Sequence, residues 1–142
     1  MGTISSWQDA GRQRYEVAED LLHLEILADI TLPEIRMIFD ELLRLQASHG
    51  YALFLITFKG SQAFPPEVRR FLSQFHRENK TVGVTAVVGA SRATALFAGL
   101  VLHAVGMVSG HRPQTRFFST QSDALVWLEE QRTLGRQGLL TR

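Results

Sequence analysis

The sequence contains no cysteine. Disulfide bonds, thiol nucleophiles and thiolate metal ligands are therefore excluded, and there is no reason to place the chain in an oxidising compartment. An excess of charge of one sign is also missing, because 15 basic and 14 acidic residues leave a formal net charge of +1. A balance so close to neutrality does not favour nucleic-acid binding. No cationic segment leads into an apolar run at the start, so we expect no secretory signal and a cytoplasmic location.

The motifs of common catalytic sites are missing as well. No GxxxxGK[ST] or GxGxxG motif follows a predicted strand, and neither HExxH nor GxSxG occurs. The histidines are widely spaced along the chain, at positions 23, 49, 76, 103 and 111, so a metal site would require them to meet through tertiary folding. We therefore expect no catalytic residues, no cofactor, no metal site and no enzyme activity.

Long hydrophobic runs are scarce, but residues 93–108 carry no formal charge. A membrane-spanning helix needs about 20 apolar residues, whereas His103 interrupts this stretch and Arg92 and His111 flank it. We therefore predict no transmembrane segment. The stretch is better interpreted as an apolar helix that packs between a sheet and a second surface.

What is present suits one globular domain. The chain has 142 residues, of which 45% are hydrophobic and 20% are charged, which are ordinary values for a folded domain. We predict a loose lead-in over residues 1–11, a single domain over residues 12–132 and a frayed tail over residues 133–142.

Helical and strand patterns alternate along that domain. Period-two alternation over residues 13–18 and 21–28 predicts an antiparallel hairpin. Thr31 and Glu34 have the spacing of a capping box, which predicts the start of a helix that ends near Gly50. The complete order is β-β-α-β-α-β-α-β-α. This order predicts an α/β fold with a mixed, mostly parallel five-stranded sheet, an N-terminal antiparallel hairpin and four helices.

The loops that follow the predicted parallel strands are candidate binding sites, since ligands of open α/β sheets bind at the carboxyl ends of strands. Ser61 follows one strand beside Lys59, and Ser91 with Arg92 follows the next at a predicted helix start. A helix start attracts anions, so Ser61, Ser91 and Arg92 form a candidate anion or phosphate site. An ordinary turn and a plain helix cap explain the same residues.

Two segments together resemble a known family. They are residues 86–92, AVVGASR, and residues 117–128, FFSTQSDALVWL. With the preceding hairpin and capped helix they resemble the SpoIIAA-like STAS domains, the anti-sigma-factor-antagonist fold, and in particular its bacterial STAS or CRAL-TRIO-like lipid-binding branch. The similarity covers roughly residues 15–130. It implies a non-catalytic domain that binds a protein or an apolar ligand.

The resemblance also implies where a phosphorylated serine would lie. Antagonists of that family are phosphorylated on a serine within an Asp-Ser-Ser-Gly stretch. The corresponding residues 59–66 read KGSQAFPP here, with no aspartate, and Ser61 is the nearest hydroxyl.

Three functions follow as hypotheses. The first is a non-enzymatic, STAS-like protein-interaction or regulatory module that forms a homodimer through its apolar helix. The predicted contact residues are Leu96, Phe97, Leu100, Val101, His103 and Val105. The second is a protein that binds a lipid or a small apolar molecule at the same helix. The third is a phospho-acceptor regulator that uses Ser61 or Ser91.

Overall fold

The computed structural model describes residues 7–59, 65–89 and 114–140. These residues form an α/β fold with six strands and three helices. The strands are β1 (Gln8–Ala10), β2 (Gln13–Ala18), β3 (Leu21–Ile26), β4 (Ala52–Phe58), β5 (Gly83–Val88) and β6 (Gln114–Phe118). The helices are α1 (Leu32–His49), α2 (Pro66–Glu78) and α3 (Gln121–Arg136).

The six strands form one sheet in which spatial order follows chain order. The pairs β1–β2 and β2–β3 are antiparallel, and the pairs β3–β4, β4–β5 and β5–β6 are parallel. The predicted α/β class and the predicted opening hairpin are both confirmed. The hairpin turns at Glu19, whose φ of 55° lies in the left-handed region, and Asp20.

The sheet has one strand more than the five that the sequence predicts. The additional strand is β1, which lies within the segment predicted to be a loose lead-in. Its three residues are too few to show a period of their own, and they become a strand by pairing with β2. The turn between them needs Gly11, because a side chain there would meet the Glu34 carboxylate.

The start of α1 has the predicted capping box. The Thr31 hydroxyl accepts from the Glu34 backbone N–H at 3.4 Å, and the Glu34 carboxylate accepts from the Thr31 N–H at 2.8 Å. Gly50 ends the helix in the left-handed conformation, with a φ of 84°. Both ends are therefore set by local chemistry that can be read from the sequence.

Helices α1 and α2 pack on one face of the sheet. Alternate side chains of β3 and β4 point towards these helices, among them Leu22, Leu24 and Phe54. Phe39 of α1 contacts Phe54 edge-on and also contacts Phe75 of α2, with ring centroids 5.9 and 4.7 Å apart. The aromatic side chains thus join both helices to the sheet in one core.

Helix α3 packs on the opposite face, over β4, β5 and β6. Trp127 and Leu128 are buried there against Leu53 and Leu55 of β4. Phe118 contacts Trp127 with ring centroids 5.6 Å apart, so Trp127 is a core residue, as its apolar neighbours in the sequence suggest. The helix continues beyond the predicted domain boundary at residue 132, as far as Arg136, and Leu140 after it is buried.

The third of the four predicted helices, residues 93–108, lies outside the described residues. The described residues therefore contain six strands where five were predicted, and three of the four predicted helices. None of the helices in residues 7–59, 65–89 and 114–140 is long and apolar enough to cross a membrane.

Candidate functional site

The sheet face that α3 covers changes from apolar to polar along the strand order. Beneath α3 the side chains of β4 and β5 are apolar. On β2 and β3 the same face carries Arg14, Glu16, His23 and Glu25. In the register of the sheet, Arg14 lies opposite Glu25, and Glu16 lies opposite His23.

We call this second region the polar wing. It comprises Trp7, Arg14, Glu16, His23, Glu25, Thr57 and Lys59. Thr57 belongs to it because it lies opposite Glu25 in the parallel pairing of β3 with β4. The wing lies towards the carboxyl ends of these two strands, where ligands of open α/β sheets usually bind, and it is the candidate site of the described chain.

Glu25 is the charged centre of the polar wing. Its carboxylate is buried and accepts a hydrogen bond from the Arg14 guanidinium, while the Lys59 ammonium lies 3.5 Å away. Burial alone raises the pKa of Glu25, but Arg14 and Lys59 outweigh it and hold that pKa below its ordinary value. Glu25 is therefore held as a carboxylate at neutral pH.

His23 lies beside this ion pair. Its Nε2 is 2.9 Å from the Thr57 hydroxyl, and its ring packs edge-on against the Trp7 indole. Burial lowers the pKa of His23 more than the nearby carboxylates of Glu25 and Glu16 raise it. The imidazole is therefore neutral at physiological pH, and it can both donate and accept a hydrogen bond.

A second buried carboxylate, Asp20, lies at the other end of β3. Arg132 of α3 donates to it through Nε at 3.0 Å and through Nη2 at 2.8 Å, and the Tyr51 hydroxyl also donates to it. Burial raises the pKa of Asp20, but the hydrogen bonds from Arg132 and Tyr51 lower it by more. The net pKa is therefore below its ordinary value. The cluster ties the β2–β3 turn to α3 and to the start of β4.

A third buried carboxylate, Glu34, lies on the opposite face of the sheet. Besides its capping bonds, it accepts from the Arg12 backbone N–H at 2.7 Å and from Gln13 Nε2 at 3.1 Å. The side-chain Oε1 of Gln13 in turn accepts from the Leu27 N–H at 2.7 Å. Burial raises the pKa of Glu34 and these donors lower it more, so the pKa is depressed overall.

None of the predicted site residues falls within the described part of the chain. Ser61, Ser91 and Arg92 lie outside the described residues. So do all six predicted contact residues: Leu96, Phe97, Leu100, Val101, His103 and Val105. Lys59, which the sequence places beside Ser61, is described and contacts Glu25.

The polar wing was not predicted as a site. The alternation of the hairpin placed His23 and Glu25 on one side of β3, but Thr57 and Lys59 are more than thirty positions away along the chain. The register of β3 against β4 brings them together. No group of three or more histidine, aspartate or glutamate side chains within the described ranges could hold a metal ion.

Comparisons with known proteins add no relative. No family model, no curated protein and no solved structure matches this chain.

Proposed function

We propose that this chain is a non-enzymatic interaction module of the STAS type that forms a homodimer. One observation carries the proposal: the three buried carboxylates of the described residues all bind partners within the fold. Asp20 joins the β2–β3 turn to α3, Glu25 joins β3 to β2, and Glu34 joins α1 to the residues around β2. Each has a structural role that accounts for its burial.

The positions of these acids support the same conclusion. General acid–base catalysis uses titratable groups that are directed at one reacting atom. Here Asp20 lies at the start of β3 and Glu25 lies near its end, on one face of the sheet, while Glu34 caps a helix on the other face. These groups are directed at three different places.

The sheet topology also agrees with the family resemblance. A STAS-like domain is expected to be an α/β domain, and the sequence predicted an antiparallel hairpin followed by parallel strands with helical crossovers. From β2 to β6 the described strands have this antiparallel and then parallel order, and α1 and α2 form the connections before β4 and β5. The agreement supports the STAS-type proposal at the level of the fold.

Exposed apolar side chains suggest where partners could meet. On the outer side of α3, Leu125 and Val126 are exposed, and the Val126 side chain is 63% exposed. Phe117 of β6 is exposed as well. Apolar groups left on a surface favour contact with a second protein. The uncharged residues 93–108 are the other apolar candidate, although they lie outside the described part of the chain.

Light scattering coupled to size exclusion tests the proposal. At tens of micromolar we expect twice the chain mass of 16.0 kDa. Val126→Glu should shift the equilibrium towards the monomer if α3 contributes to the contact. Gln121→Glu, which adds the same charge at an exposed position of the same helix, serves as the control. A strict monomer at this concentration would contradict the homodimer.

A further inference from the structure

Trp7 lies on the polar wing between a cation and an imidazole. Its indole ring centroid is 5.2 Å from that of His23, with the planes at 61°. The Arg14 guanidinium carbon lies 4.6 Å from the indole centroid, in a cation–π contact. The indole therefore covers part of the imidazole and limits its contact with water.

The two aromatic side chains of this contact, His23 and Trp7, differ in how firmly the sheet holds them. His23 lies on β3, which pairs with β2 on one side and β4 on the other, and its ring is hydrogen-bonded to Thr57. Trp7 directly precedes β1, which pairs with β2 through three residue pairs. A short strand at the edge of a sheet opens at low free energy compared with central strands. Trp7 is therefore the member that can move.

Protonation of His23 would change the balance of charge around it. Two carboxylates face the imidazole, Glu25 on its own strand and Glu16 on β2, and two cations face it, Arg14 on β2 and Lys59 after β4. Glu25 already binds both cations. An imidazolium would thus be a third cation beside two carboxylates, of which only Glu25 is buried, and it would lose hydration as long as the indole covered it.

We propose that Trp7 and β1 form a pH-sensitive latch on the polar wing. While His23 is neutral, the indole packs on the imidazole. When His23 takes up a proton, the indole leaves and the imidazolium gains water. The open state uncovers His23 and Arg14, the two side chains that the indole contacts.

The direction of the pH dependence follows from burial. A buried histidine binds its proton less readily than a free one, whose pKa is about 6.5. The latch is therefore closed at neutral pH and opens at a midpoint below about 6.5.

Fluorine NMR of the full chain labelled with 5-fluorotryptophan tests this proposal without altering the site. The chain has two tryptophans, and Trp7→Phe assigns the two resonances. On titration from about pH 8 to about pH 5, we expect the Trp7 resonance to shift and its sensitivity to solvent D2O to rise with one midpoint. The Trp127 resonance should stay constant, because Trp127 of α3 is buried against the sheet.

Two variants make the test specific. His23→Gln keeps a group that can hydrogen-bond to Thr57 but removes the titration, so the Trp7 transition should disappear. His49→Gln, at the exposed end of α1, should leave it unchanged. The proposal is overturned if the Trp7 resonance does not respond to pH, or if the response persists in His23→Gln. It is also overturned if both tryptophans respond together, because that would show global unfolding.

Discussion

At the scale of single residues, two neighbouring acids show how burial determines the contribution of an ion pair to stability. Asp20 is 2% exposed and binds Arg132 through two guanidinium nitrogens. Glu19, one position earlier, has a side chain that is 77% exposed and lies 3.8 Å from Arg136. Both pairs connect the same turn to the same helix. Removing one partner of a buried pair leaves an uncompensated charge, whereas exposed pairs are weakened by solvent.

We predict a clear difference between the two positions. Asp20→Asn should lower the free energy of unfolding by about 3 kcal/mol, since Arg132 loses its buried charged partner and keeps only the exposed Glu129. Glu19→Gln is the matched control and should change it by less than about 1 kcal/mol. Urea denaturation followed by circular dichroism measures both. Equal effects at the two positions would contradict the structural role of Asp20.

A second residue-scale prediction concerns acid. The pKa of His23 is lowered by burial, so its stabilising contribution is complete above about pH 6.5 and is lost as the pH falls below that value. The pKa values of Asp20, Glu25 and Glu34 are also lowered. Their contribution is complete above about pH 4.5 and is lost on further acidification.

Stability should therefore fall in two steps as the pH decreases. Denaturation curves at closely spaced pH values measure these steps. His23→Gln should remove the upper step and leave the lower one. Parent and variant curves that run parallel between pH 7 and pH 5 would disagree with this assignment.

Side-chain clusters of this kind could be predicted from the sequence only where the partners are close along the chain. The Thr31–Glu34 capping box was predicted because its partners are three positions apart. The Asp20–Arg132 pair spans 112 positions, and His23 meets Thr57 across 34. Each residue alone is an ordinary polar side chain. Their contacts depend on strand register and on the position of α3, which no local pattern contains.

At the scale of secondary-structure elements, local signals were sufficient for the long elements. β4 is a continuous apolar run, α2 begins at a proline and Thr120 caps α3, so each of these elements carries a local signal in the sequence. The differences are at short or terminal segments. β1 forms only by pairing with β2. The last turn of α3 is held by a close contact, in which Gly135 packs against the Tyr51 ring.

The element-scale prediction concerns the start of α1. Glu34→Gln should lower the free energy of unfolding by about 2 kcal/mol, because a buried charged acceptor with several donors is lost. Glu67 provides the control, since it is an acidic first-turn residue of α2 that is exposed. Glu67→Gln should remove only its interaction with the helix dipole, less than about 1 kcal/mol. Thermal or urea unfolding compares the two, and equal losses would exclude the special role of Glu34.

At the scale of the whole molecule, the two faces of the sheet are used differently. One face is packed by α1 and α2 in a core that reaches from β1 to β5. The other is packed by α3 over β4, β5 and β6 and becomes polar over β2 and β3. The sequence predicted the α/β class because alternating strands and helices restrict the topology, but it missed β1, and one of its four helices lies outside the described residues. It did not predict which helix covers which face.

This division underlies the proposed function. The buried carboxylates of the described residues bind partners within the fold, while apolar side chains remain exposed on α3 and β6. A domain of this kind is suited to contact with another protein, and the proposal assigns that contact to a second copy of the chain.

Native mass spectrometry after gentle purification tests this claim most directly, because one spectrum reports both the number of chains and any retained small molecule. We predict a species of two chains with no mass beyond that of the protein. A single chain that retains an apolar molecule would contradict the account and would identify a ligand carrier instead.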